Sequence, residues 1–64
     1  MNWTDDAVRA ARNQWVRLRD GRTARVKHYD GDGWALVGGG LAIEGLDIWQ
    51  MRAVLNGNEA VMCE

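Results

Sequence analysis

Few side chains in this sequence are capable of covalent or acid–base chemistry. Its 64 residues include one His (His28), one Cys (Cys63) and no Ser, Pro or Phe. A Ser nucleophile is excluded outright. A structural zinc site takes about four Cys or His ligands, more than the sequence holds. A disulfide within the chain needs a second Cys. His28 has no second His with which to share a metal, and as a base it would need a nucleophile or a substrate proton in reach. It alternates onto the core-facing side of a strand and reads as a partly buried structural imidazole. Cys63, beside the end of the sequence, reads as an inert thiol on a terminal strand. An enzyme is not expected, nor is a cofactor or a metal.

Two glycine-rich stretches invite a ligand reading. Asp30-Gly31-Asp32-Gly33 has the look of the start of a calcium loop, but such a loop needs acids at its fifth and twelfth positions, here Trp34 and Leu41. It reads as a turn. Gly38-Gly39-Gly40 would let a backbone approach a ligand closely. It is neither a phosphate-binding Gly-x-x-x-x-Gly-Lys loop nor a dinucleotide fingerprint, and it too reads as a turn.

Charge is more informative. Eight Lys and Arg against nine Asp and Glu give a net charge of −1, which hides a strong segregation. Arg9, Arg12, Arg17, Arg19, Arg22, Arg25 and Lys27 face only Asp20 within residues 9–28, a net of +6. Asp30, Asp32, Glu44, Asp47, Glu59 and Glu64 face only Arg52 within residues 29–64, a net of −5. The candidate binding residues are Trp15, Arg17, Arg25, Lys27 and Tyr29, the outward-facing members of one hairpin. Basic residues interleaved with aromatics suit phosphate contacts and base stacking. They also suit a protein partner or a second copy of the chain. They also suit a plain solvated face whose Arg stems cover Trp15.

The elements that would position these residues follow from periodicity. Residues 4–13 have helix signals: Thr4 as N-cap, Asp5 and Asp6 in the first turn, Arg9 and Arg12 late. Trp3 and Val8 bracket the cap as a hydrophobic staple, and Val8, Ala11 and Trp15 make the expected buried stripe. From Trp15 the period becomes two. Val16 and Leu18, then Ala24, Val26 and His28, alternate with polar residues around Asp20-Gly21. A three-residue loop, Arg19-Asp20-Gly21, sets Val16 beside Ala24 and Trp15 beside Arg25; a two-residue loop would split the apolar set between faces. An odd-length loop at Asp30–Gly33 keeps Trp34 and Leu36 on the side of Val26 and His28. Leu41 and Ile43 begin a fourth strand.

Residues 47–57 admit two readings. Asn56-Gly57 would suit a hairpin turn. Asp47 as N-cap, Gln50 three residues later, a Leu46–Met51 staple and Gly57 at C′ support a helix over 48–55, followed by a strand over 59–63. The expected fold is α+β, one domain over 1–64: a small, curved antiparallel sheet of four or five strands, SH3-like in outline, with one helix before it and a short one near its end.

Leu18-Arg19-Asp20-Gly21-Arg22-Thr23-Ala24-Arg25-Val26 resembles an opening hairpin of short bacteriophage and prophage accessory proteins. The resemblance covers these nine residues. It implies a mobile-element origin and a tiny non-enzymatic protein that acts by blocking a host complex, as anti-CRISPR proteins do.

The resulting expectation is a non-catalytic binding protein directed at a host protein or complex, with a nucleotide or nucleic-acid binding module as the alternative. A domain this small buries only about 60% of its unfolded surface, so a homodimer is expected. The longest apolar and Gly run, Trp34 to Ile43, is too short for a membrane span of about 20 residues. Met1-Asn2-Trp3-Thr4-Asp5-Asp6 lacks the pattern of a secretory signal, and the reading places the chain in the cytoplasm of a bacterial host.

Overall fold

Helix α1 (Asp5–Ala10) starts where Thr4 stops the extended chain: its hydroxyl accepts the Ala7 N–H at 3.1 Å. Trp3 and Val8, on either side of that cap, are both buried. The computed structural model describes residues 2–63; Met1, and Glu64 of the acidic half, lie outside the described residues.

The helix is shorter than its sequence signals. Ala11 caps it, Asn13 turns left-handed at φ 65°, and the Asn13 N–H goes to the Val26 carbonyl at 2.8 Å. A backbone donor committed to the sheet cannot continue a helix. The expected buried stripe loses its last member in consequence. Val8 and Ala11 are buried, but Trp15 is 43% exposed and belongs to a strand.

Strands β1 (Trp15–Arg17), β2 (Thr23–Tyr29), β3 (Gly33–Gly38), β4 (Leu41–Leu46) and β5 (Val61–Met62) form one open sheet. All neighbours are antiparallel, in the order β4-β3-β2-β1-β5. A four-strand meander followed by a fifth strand that returns to β1 is SH3-like in outline. In the first hairpin Trp15 pairs with Arg25 and Val16 with Ala24. The Leu18 N–H donates to the Arg22 carbonyl at 2.8 Å, closing the three-residue loop 19–21 with Gly21 at φ 91°. In the second, Tyr29 pairs with Gly33, so Trp34 and Leu36 lie across from His28 and Val26.

Gly33 is required by position. Its φ is +79°, and a Cβ there would stand 2.5 Å from the Leu46 carbonyl oxygen. Leu46 comes this close because β4 carries a bulge. Trp34 pairs with Leu46 and Leu36 with Ile43, which leaves Glu44 and Gly45 opposite Ala35 alone. The extra residue bends the sheet and restores Leu46 to the core side.

Helix α2 (Ile48–Gly57) begins with a complete capping box: Asp47 accepts the Gln50 N–H at 2.8 Å, and the Gln50 side chain accepts the Asp47 N–H at 2.9 Å. Its end differs from expectation. The left-handed residue is Glu59 (φ 49°), not Gly57, and Asn58 is the C-cap. The Ala60 N–H reaches the Leu55 carbonyl and the Glu59 N–H reaches that of Asn56, at 3.0 and 3.1 Å. This is a Schellman closure, with its apolar contact supplied by the buried pair Leu55 and Ala60. Burial of Ala60 thus sets the reversal two residues beyond Gly57. The last strand shrinks from 59–63 to Val61–Met62.

Both helices cover the same side of the sheet. Val8, Val16, Ala24, Val26, Leu36, Met51 and Leu55 have no exposed surface there. Trp3 completes the floor: its indole N–H donates to the Ala60 carbonyl at 2.8 Å, and its backbone N–H to Asn56 Oδ1 at 2.7 Å. Among the described residues no helix is long and apolar enough to cross a membrane.

Candidate functional site

The side of the sheet away from the helices carries the five residues singled out by sequence. Alternation along β1 and β2 puts Trp15, Arg17, Arg25, Lys27 and Tyr29 there, because Val16, Ala24, Val26 and His28 take the other side. On β3 and β4, Ala35, Val37 and Ala42 continue this outer face. Val61 of β5 pairs with Arg17 and adds an exposed apolar side chain.

Trp15 lies flat across the sheet. A Cβ on Gly38 would meet its Cζ3 at 3.2 Å, so the ring reaches over β2 onto bare backbone. Arg25 stacks on it, the guanidinium carbon 5.2 Å from the ring centroid. Arg25 Nε is buried with no hydrogen-bond partner among the described residues. A cation–π stack contributes about 0.5–1 kcal/mol where exposed and about 2 kcal/mol where desolvated, and an unpaired buried donor costs about 1–3 kcal/mol. The two effects are of similar size, and the stack orders Arg25.

The remaining cations divide into two groups. Arg19 pairs with Glu59 at 3.4 Å, Arg22 with Asp20 at 2.6 Å and Arg52 with Asp5 at 3.0 Å. Arg22 also donates to the Gly39 carbonyl at 3.1 Å, tying the first hairpin turn to the glycine turn between β3 and β4. Hydrogen bonds from the Arg22 backbone and guanidinium hold the Asp20 carboxyl below its usual range. Arg17, Arg25 and Lys27 on the outer face, and Arg9 and Arg12 on the helix side, make no ion pair among the described residues.

The outer face is not uniformly basic. Tyr29 lines a cleft of about 570 Å³ together with Asp32, Glu44 and Gly45, the last two being the bulge residues. At the other end Arg17 lines a smaller hollow of about 260 Å³ with Val61, Met62 and Cys63. Trp15, Arg17, Arg25 and Lys27 thus form a basic aromatic region, while Tyr29 sits at an acidic end. Among the described residues, no three His, Cys, Asp or Glu side chains gather into a set that could hold a metal ion.

The chain matches no known protein family, no characterised protein and no solved structure.

Two features lie outside the hairpin face; the first, Trp49, belongs with Glu44 and Asp47 to the acidic half that the sequence offers as the alternative partner site, and the second was not singled out by sequence. Trp49 on α2 is 71% exposed with the Arg52 guanidinium 5.0 Å from its ring centroid. On the helix side, Arg9, Arg12, His28, Trp34 and Ile48 line a cleft of about 470 Å³. The spacing of Arg9 and Arg12 puts them on one side of a helical turn. Their approach to His28 and Trp34 depends on how α1 lies against the sheet.

Proposed function

We propose that this chain is a non-catalytic binding protein that docks on a macromolecular partner through the outer face of its sheet. The observation that carries the reading is the polarity of that face. Arg17, Arg25 and Lys27, without an ion pair among the described residues, and the flat Trp15 lie at one end, and Asp32 and Glu44 flank Tyr29 at the other. Nucleic acid presents a continuous line of negative charge, which the acidic end would repel. A protein surface of mixed charge complements both ends. The exposed Trp15, Tyr29 and Val61 supply the apolar and aromatic anchors on which protein interfaces depend. In the mobile-element setting suggested by the hairpin resemblance, the partner is a host complex in the bacterial cytoplasm and the effect is inhibition, in the manner of anti-CRISPR proteins. The same charge polarity suits a head-to-tail homodimer.

The test is capture from bacterial lysate by three baits: the wild type, Arg17→Glu/Lys27→Glu and Arg9→Gln/Arg12→Gln. The first pair leaves the Trp15–Arg25 stack intact. The expected result is one partner retained by the wild type and by the helix-side variant and lost with the outer-face variant. Retention by all three removes the outer face as the docking surface. Salt-dependent oligonucleotide binding lost with Arg17→Glu/Lys27→Glu would favour the nucleic-acid alternative. Sedimentation at high micromolar concentration tests the dimer, which a solely 7.2 kDa species would exclude.

A further inference from the structure

The cleft on the helix side combines charge and shape in a way that the outer face does not. Its basic wall is Arg9, in the last turn of α1, and Arg12, just beyond the cap. Neither guanidinium has a hydrogen bond or ion pair among the described residues, and no acid lines the cleft. His28 and Trp34, cross-strand partners with ring centroids 4.7 Å apart, form its floor. Ile48, the first residue of α2, closes it with apolar surface. Asp47, next in the chain, is turned to the Gln50 N–H by the capping box and does not line the space.

The carboxyl end of a helix favours a cation, and that accounts for Arg9. It does not account for Arg12 and the His28 imidazole opening onto the same hollow. Three nitrogen-bearing side chains without a carboxylate make an anion site, and guanidinium forks match the oxygens of phosphate. The volume of about 470 Å³ exceeds what a bare inorganic ion fills and falls in the range of small-molecule pockets. Trp34 is only 8% exposed, so its ring has no free face for a stacked base. We infer that this cleft binds a small phosphate monoester, the phosphate on Arg9, Arg12 and His28 and the short organic part against Ile48. The site lies across the sheet from the proposed docking face and does not depend on it.

The experiment is a nitrogen-15 NMR titration of the whole protein with glycerol 3-phosphate and, separately, inorganic phosphate, each against sodium chloride of matched ionic strength. Saturable shifts should centre on the Trp34 indole N–H and the His28 ring, with the monoester binding more tightly. Arg9→Gln/Arg12→Gln should weaken binding about tenfold or more, and Arg17→Gln/Lys27→Gln should leave it unchanged. Shifts no larger than those with chloride overturn the site. So does equal weakening by the outer-face pair, which would mark a diffuse charge effect. Equal affinity for inorganic phosphate overturns the monoester assignment. Because the wild-type shifts locate the ligand by themselves, the inference remains testable even if the Arg9→Gln/Arg12→Gln protein does not fold.

Discussion

The two faces of the β1–β2 hairpin are built from alternate residues of one stretch of chain, yet they obey different rules. On the inner face Val16, Ala24 and Val26 are wholly buried against the helices. On the outer face Trp15 and Tyr29 remain 43% and 42% exposed, and the cations between them have no ionic partner among the described residues. The inner face fixes the register, because a slip of one residue would bring Arg17 and Arg25 into the core. With register fixed from inside, the outer residues do not have to specify the pairing.

The largest break in this comparison comes from placing a charge on the inner face. Val26→Asp buries a carboxylate with no cation beside it, at a cost of about 3–5 kcal/mol or more. A 64-residue domain has a total stability of roughly 3–10 kcal/mol, so the variant should be unfolded or nearly so. Lys27→Asp, one residue along on the outer face, should fold cooperatively. Urea denaturation followed by circular dichroism decides. A Val26→Asp protein with the wild-type midpoint would mean that the inner face is not the packed one.

Much of this was legible in the sequence because it depends on neighbours. The Asp47–Gln50 box, the Thr4 cap, the three-residue loop at 19–21 and the odd length of the loop before Gly33 are local events, and the alternation of Val and Arg specifies which side is buried. The helix ends were not legible, because distant residues set them. Asn13 leaves α1 when Val26 claims its N–H, and the reversal after α2 waits for Ala60 to reach Leu55 and the Trp3 indole. Gly57 offered the residue type for a left-handed position, but burial decided in favour of Glu59. The return of Leu46 to the core side was hidden for a similar reason. It needs the β4 bulge, and nothing in the alternation announces a bulge.

A smaller effect measures how far the outer face contributes to folding. Trp15 covers Gly38 and Arg25 with a little more than half of its surface. A Trp buries about 150–250 Å², so roughly half of that at 25 cal/mol per Å² gives about 2–3 kcal/mol as an upper figure. Trp15→Ala also returns the unpaired Arg25 Nε to water, which offsets part of the loss. The expected net cost is about 1–2 kcal/mol, against a few tenths for Trp49→Ala, whose ring is 71% exposed. Denaturant midpoints of the two variants give the comparison directly. A Trp15→Ala loss as large as that of Val26→Asp would make the outer face a second core and withdraw it as a free binding surface.

The smallest effect lies at the hairpin tip, where the two faces meet. Asp20 accepts from the Arg22 backbone N–H at 3.0 Å and from its guanidinium at 2.6 Å, and these bonds lower its pKa from 3.8. A carboxyl whose folded-state pKa is depressed adds stability at pH values above its unfolded pKa. That stability disappears as the pH falls through the lower folded value. The contribution is therefore complete above 3.8 and lost progressively below it. Asp20→Asn removes the titration, so the difference in denaturation midpoint between wild type and variant should shrink as the buffer is taken from neutral pH to below that window. The Asp20 side chain is about half exposed at the surface, so solvent screening keeps the whole effect small. What the bonds do locally is larger in consequence. Arg22, steadied by Asp20, reaches the Gly39 carbonyl and holds the first turn beside the glycine turn on which the Trp15 ring rests. Asp20→Asn should therefore loosen the environment of Trp15 more than it lowers stability, and the Trp15 indole resonance should report it. A pH-independent midpoint difference together with an unmoved indole signal would show that the tip is only a turn, with no part in ordering the outer face.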